Sequence, residues 1–241
     1  MSETALVRRP SRVGAFFDLD KTLICENSGA MYVRYRYERG EISGFDVAKG
    51  VAAYLQYKLG VLDIQSWTRD AMRDFQGQRE EDLVKEAAAG FNDLVAAALY
   101  VEAEDLIRKH LAAGHVVAIV SGATRFIVEP LALRLGIEHF LYTRLEVEGG
   151  LFTGRVVEPI CFGEGKIYWL GQLVEEQNID LARSWFYTDS ITDKPLLDIV
   201  GHPVAVNPDP LLYRESVRRC WPVRMLTPPS LDAPGPARPP A

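Results

Sequence analysis

Three polar stretches, each directly after an apolar run, hold most of the side chains with chemical capacity. Asp18-Leu19-Asp20-Lys21-Thr22 follows the run at 13–17 and Ser121-Gly122-Ala123-Thr124 follows 116–120. Asp189-Ser190-Ile191-Thr192-Asp193 follows 184–188, and Lys166 opens the helical pattern just before that last run. Carboxylates from separate stretches that meet in one crevice repel unless a cation neutralises them. A hard divalent ion with oxygen ligands, Mg²⁺ above all, is the natural remedy. The hydroxyl and amide groups at Ser121-Gly122 and the ammonium of Lys166 are what a phosphoryl group needs around it. Together these groups point to phosphoryl transfer.

Each stretch alone has a plainer reading. Asp18 and Asp20 could end a strand in an Asx-type turn. Ser121-Gly122 could cap the next helix. Asp193 could be the N-cap of a helix that starts at Lys194-Pro195, a role compatible with a site role. A cation in a helix's first turn opposes the dipole, so Lys166 is more than a solvated lysine. Cys25 reads as a small buried residue.

The elements that must position these groups follow from the apolar pattern. The runs at 13–17, 116–120, 184–188 and 203–207 end abruptly in polar residues, like buried parallel strands. Helical patterns cover 102–113, 126–135, 166–174 and 194–200, with Gly114 and Gly136 as stops and Pro130 as a possible kink or restart. Residues 145–148 and 151–156 read as a hairpin about Gly149-Gly150. Residues 27–100 are helical with few strand candidates. Ala52, Ala53, Leu55, Gln56 and Leu59 lie near helical spacing, and Gly60, Gly90 and residues 63–66 supply breaks. Strands alternating with helices imply an α/β fold with a doubly wound, Rossmann-like parallel sheet. Such sheets place ligands beyond the carboxyl ends of their strands, where the three stretches lie.

The 241 residues are 48% hydrophobic and 25% charged, ordinary for a soluble globular chain. The net charge of −6 argues against a nucleic-acid partner. The longest strictly apolar run, residues 94–101, is too short for a membrane span. The opening MSETALVRRPSR lacks an apolar secretory core, and Cys25, Cys161 and Cys220 are odd in number and far apart. Both features fit a reducing cytoplasm. Residues 1–11 read as a flexible start. Residues 227–241, with six of the 14 prolines, read as a disordered tail.

Phe17-Asp18-Leu19-Asp20-Lys21-Thr22-Leu23, Ser121-Gly122, Lys166 and Asp189-Ser190-Ile191-Thr192-Asp193 match, in order, the four motifs of the haloacid dehalogenase superfamily. With a long helical insert after the first motif, the arrangement resembles its subfamily IB, the phosphoserine phosphatase-like hydrolases. The resemblance implies a core of residues 12–24 and 101–226, with 25–100 as a helical cap. It implies that Asp18 is the nucleophile and forms an aspartyl phosphate, while Asp20 is the general acid and base. Thr22, Ser121, Gly122 and Lys166 would bind the phosphoryl group. Asp18, Asp189 and the Asp20 carbonyl would hold Mg²⁺, and Asp193 would orient Lys166 or a metal-bound water.

A small phosphorylated metabolite is the expected partner, phosphoserine or a related amino acid or amino alcohol phosphate. Histidinol phosphate, a small lipid phosphate, transfer to an alcohol acceptor and a non-catalytic binding role are the alternatives. Substrate contacts are expected from Arg34, Arg36, Arg125 and Asn27. The family's phosphoserine phosphatases carry an amine-binding glutamate at the last of these positions. Thr192 likewise replaces the family's asparagine.

Overall fold

The computed structural model describes residues 11–58 and 63–229. Leu59 and Gly60 of the expected helical pattern lie outside them, as do residues 1–10 and 230–241 of the expected flexible ends. Among the described residues, no helix is long and apolar enough to cross a membrane.

The chain opens with β1 (Gly14–Phe17), then five helices: α1 (Ser28–Glu38), α2 (Gly44–Lys58), α3 (Ile64–Met72), α4 (Glu80–Glu86) and α5 (Asn92–Ala97). After α6 (Val101–Ala112) come β2 (Val116–Thr124), α7 (Arg125–Arg134), β3 (His139–Thr143), the hairpin β4 (Leu145–Glu148) and β5 (Leu151–Val156), and α8 (Glu164–Gln177). The last elements are β6 (Trp185–Thr188), α9 (Lys194–Leu197), β7 (His202–Val206), α10 (Pro210–Arg219) and β8 (Val223–Arg224). The sheet runs β3-β2-β1-β6-β7-β8, parallel throughout, so the fold is α/β and doubly wound with a helical cap after its first strand.

The continuous apolar runs of the strands have a direct cause: both faces of the sheet are covered. Ala15, Phe17, Ile119 and Tyr187 pack on α6 and α7. The alternate residues Phe16, Ala118, Val120 and Phe186 pack on α8 and α9. Phe17 stacks on Tyr187 at 4.5 Å, and the Tyr187 hydroxyl lies 2.8 Å from His110 Nε2. Burial pulls the His110 imidazole down to about 4, so it is neutral near pH 7.

Backbone hydrogen bonds hold the cap at two places. At its base, residues 24 and 99 form an antiparallel bridge. There the Cys25 amide donates to the Ala98 carbonyl and the Tyr100 amide to the Leu23 carbonyl. Farther out, the Gly77, Phe152 and Glu80 amides donate to the Phe152, Gln78 and Gly150 carbonyls, joining cap and hairpin.

Several boundaries differ from the expectation. β2 continues to Thr124, with its register against β3 shifting between Val120 and Thr124. β3 and β8 were not foreseen: one is a half-buried edge strand and the other is two residues long, so neither shows a clean apolar run. Pro130 sits inside an uninterrupted α7. Helix α9 stops at Leu197. The hairpin turn at Gly149-Gly150 has both φ values positive, which only glycine adopts freely.

One close approach fixes where α8 begins. A Cβ on Gly165 would lie 1.8 Å from the Ile160 carbonyl oxygen, whereas Gly171 on the same helix has open space around it. Gly165→Ala is expected to lower the melting temperature by several degrees. Overpacking costs about 1–3 kcal/mol, and each kcal/mol shifts a chain of this size by about 2–4 °C. Gly171→Ala should raise it slightly, because alanine is the better helix former. Melting curves of the two variants check this, and a Gly165→Ala curve at the wild-type position would refute it.

Candidate active site

The strand order places the switch point between β1 and β6, whose onward connections run to opposite sides of the sheet. That is where open parallel sheets bind ligands. Asp18 follows β1 and Asp189 follows β6. The Asp18 amide donates to the Tyr187 carbonyl at 2.9 Å, extending the ladder one residue past β1. Beyond it the chain coils about the Leu19 carbonyl, which accepts from the amides of Thr22, Leu23 and Ile24. Lys21 takes a left-handed conformation (φ 58°) within that coil.

Lys166 lies in the first turn of α8 and is buried. Its Nζ donates to Asp18 Oδ1 and to Asp193 Oδ2, both at 2.7 Å. Asp193 Oδ2 also accepts from Thr188 Oγ1 at 2.7 Å. Among the described residues, no hydrogen-bond partner holds Asp18 Oδ2. Asp20 is held separately: its Oδ1 accepts from the Ser28 amide at 2.9 Å and its Oδ2 from Asn27 Nδ2 at 2.8 Å.

The electrostatics follow from burying several carboxylates together. Burial alone would pull the Lys166 ammonium down, but Asp18 and Asp193 outweigh it and push it up. Asp18 is pushed up to about 7 by burial and by Asp193, against the opposing pull of Lys166. Asp189 is pushed up to about 8, by burial first and then by repulsion from Asp18 and Asp193. Burial also raises Asp20. The pocket carries more negative charge than its lysines relieve.

Ser121 and Gly122 follow the apolar part of β2, the strand paired with β1, and Thr22 lies in the coil that follows Asp18. Ser121 is buried and its Oγ accepts from the Ala123 amide at 3.1 Å, which turns the chain after the apolar part of β2. Gly122 lies beside the Cys161 carbonyl and the Phe162 ring. Thr22 Oγ1 and Asp193 Oδ1 are buried and, among the described residues, have no hydrogen-bond partner. An orphaned buried oxygen costs about 1–3 kcal/mol, so each is suited to receive a group from outside the chain. Among the described residues, no three His, Cys, Asp or Glu side chains surround one point. A cation here therefore has to be completed by backbone carbonyl, water or substrate oxygens, which is how Mg²⁺ is commonly bound. The donor set fits that ion.

Asp18, Lys166 and Asp193 are thus joined by direct hydrogen bonds, and Asp189 and Asp20 are near enough to shift the charge of this group. The arginines expected at the substrate each form ion pairs. Arg34 pairs with Glu26 at 2.9 Å, and Arg36 pairs with Glu41 at 3.2 Å. Arg125 pairs with Glu129 and, across to the cap, with Glu80. Asn27 faces Asp20.

Two contributors were not foreseen. Thr188 holds Asp193. Asp209 donates its amide to the Asp189 carbonyl at 2.7 Å and accepts from the Ile191 amide at 2.9 Å. Asp209-Pro210 does read as a helix start, and Asp209 caps α10. Nothing local in the sequence announces its second task of bracing the 189–193 loop.

Residues 15–198 match the haloacid dehalogenase-like hydrolase family. The chain belongs to that family. A histidinol-phosphatase of Neisseria meningitidis and a phosphoserine phosphatase of Mycobacterium tuberculosis are each 30% identical over 214 residues. Both alignments span 87% of this chain, with 96% and 70% of the respective relatives. A crystal structure of a Bordetella pertussis protein of unknown function superposes with a TM-score of 0.81 at 29% identity, covering 89% of this chain and 99% of that one.

The raised carboxylates carry a definite sign for stability. In the unfolded chain they titrate near 3.8; in the fold they keep their protons to about 7 and 8. Their favourable contribution is therefore full below the unfolded value and is lost as pH rises through the folded values. His110 and His115 are depressed from 6.5 and act only below it. For metal-free protein, the melting temperature should fall between pH 6.5 and about 8.5, and fall less in Asp189→Asn. A profile that is flat or rises in both proteins would contradict this charge arrangement.

Proposed function

We propose that this chain is a Mg²⁺-dependent phosphatase that hydrolyses a small phosphomonoester through a phosphoryl group carried on Asp18. The observation that carries the reading is the Lys166 clamp. It fixes one oxygen of Asp18 and, among the described residues, leaves the other without a hydrogen-bond partner, at the switch point of the sheet.

In the first half-reaction, Asp18 Oδ2 attacks the phosphorus in line. The bond to the ester oxygen breaks with its electron pair, and that oxygen takes a proton from Asp20. Water then attacks the phosphorus of the acyl phosphate and gives a proton to Asp20. The P–O bond to Asp18 breaks and the carboxylate is regenerated. Lys166, Ser121, the Gly122 amide and the orphaned Thr22 hydroxyl bind the phosphoryl oxygens, and Lys166 also lowers repulsion between Asp18 and its anionic substrate. Asp193 positions Lys166. Asp18, Asp189 and the Asp20 backbone carbonyl would hold Mg²⁺. The ion supplies charge neutralisation on the transferring group. The cap of residues 25–100 excludes bulk water.

Relatives named for histidinol phosphate and for phosphoserine are equally similar, which supports an amino acid or amino alcohol phosphate as the substrate class. The glutamate the family uses for the amine is Asn27 here, and Glu26 is occupied by Arg34. A panel of phosphorylated metabolites scored by free phosphate, with and without an alcohol acceptor, identifies the substrate and separates hydrolysis from transfer.

Asp18→Asn should abolish turnover without loss of fold, and EDTA should silence the wild type. Near-wild-type rates in either case would overturn the mechanism. Asp20→Asn should lose about 10²–10⁴ in kcat/KM on alkyl phosphates, because general acid assistance is worth that much. It should lose far less on p-nitrophenyl phosphate, whose leaving group needs no proton. Equal losses on both substrates would remove Asp20 from the acid role.

A further inference from the structure

Asp18 and Asp193 are held by a lysine, but Asp20 is held by neutral groups at the start of the cap, where the Ser28 side chain also interacts with it. The Ser28 amide donates to Oδ1 and Asn27 Nδ2 to Oδ2. The Asn27 carboxamide is fixed at both ends, since its Oδ1 accepts from the Ala30 amide at 3.0 Å and so caps α1. That contact settles which end is nitrogen: only an oxygen can accept from an amide, and only the NH₂ can donate to a carboxylate. A donor on each oxygen fixes the plane of the Asp20 carboxyl. A carboxylate has about four lone-pair positions, so these bonds and the Ser28 side-chain contact still leave room for a proton in transit.

We infer that Asn27 is a positioning residue that holds the Asp20 carboxyl in the orientation needed for proton transfer to the leaving oxygen, rather than a substrate contact. This rests on the phosphatase reading above. It joins acid catalysis to the seating of α1, because the same carboxamide caps that helix. An asparagine suits both tasks: aspartate or serine would cap the helix equally well, yet neither could donate to Asp20 in this way.

The test compares Asn27→Asp and Asn27→Ser in the full-length chain. Both retain a capping oxygen. Asn27→Asp sets a carboxylate against Asp20, and Asn27→Ser shortens the side chain out of reach. With Mg²⁺ present, kcat/KM is measured on an alkyl phosphate and on p-nitrophenyl phosphate. It reports the steps through alcohol release whichever half-reaction limits kcat.

Both variants should lose about 10- to 100-fold on the alkyl phosphate, the scale of a small misplacement of a catalytic group, and much less on p-nitrophenyl phosphate. Their melting temperatures should stay near wild type. In an Asp20→Asn background, Asn27→Ser should cost nothing further, because residues acting as one unit are not additive.

A residue that only caps α1 would leave both rates unchanged, and a substrate contact would cost a similar factor in both backgrounds. Either result overturns the inference while Asp20→Asn still shows leaving-group selectivity. If Asp20→Asn itself shows none, the phosphatase reading fails and the inference falls with it.

Discussion

Everything at the strand ends depends on one unfavourable act, the burial of several carboxylates in one small volume. Asp18, Asp189 and Asp193 are each less than a tenth exposed, and mutual repulsion adds to desolvation in raising the first two. Lys166 makes the arrangement tolerable by serving two of them at once. Its place in turn depends on α8 starting where it does, with Gly165 pressed on the Ile160 carbonyl. Thr188 and Asp209 then hold the far side of the cluster. Charge crowding of this kind is common at functional sites: a buried carboxylate cluster short of counter-charge is suited to receive a cation.

The sheet was legible because its chemistry is repetitive. Parallel strands buried on both faces read as short apolar runs, and four of the six could be read that way. The other two defeat that reading for physical reasons. β3 is an edge strand with mixed exposure, and β8 is too short to display any period. The candidate site was legible to the extent that its residues follow those strands or, for Lys166, open a helix. Asp18, Asp20, Ser121, Lys166, Asp189 and Asp193 are each local to a motif.

What sequence could not supply was the partner of each side chain. Arg34 and Arg36 sit in a stretch that looks suited to anionic substrates, and their ion pairs with Glu26 and Glu41 are not readable from spacing. Asn27 was marked for the substrate, and its bond to Asp20 was not foreseen. Asp209 lies sixteen residues beyond the last motif aspartate, and its hold on Asp189 and Ile191 depends on where β7 delivers it. Such pairings follow from tertiary geometry, which no spacing rule encodes.

The seam between cap and hairpin changes what kind of mechanical object the cap is. A domain tethered only at residues 24 and 99 would be a door on one hinge, free to swing. This one is fastened a second time, by three backbone hydrogen bonds to a hairpin whose own base is closed by the Val157 amide on the Arg144 carbonyl. A body secured at two separated points has lost most of its rotational freedom. Any movement that admits a substrate must either unfasten the seam or carry the hairpin along as part of the door. The segment between β3 and α8, though it branches from the core, belongs by its mechanics to the cap.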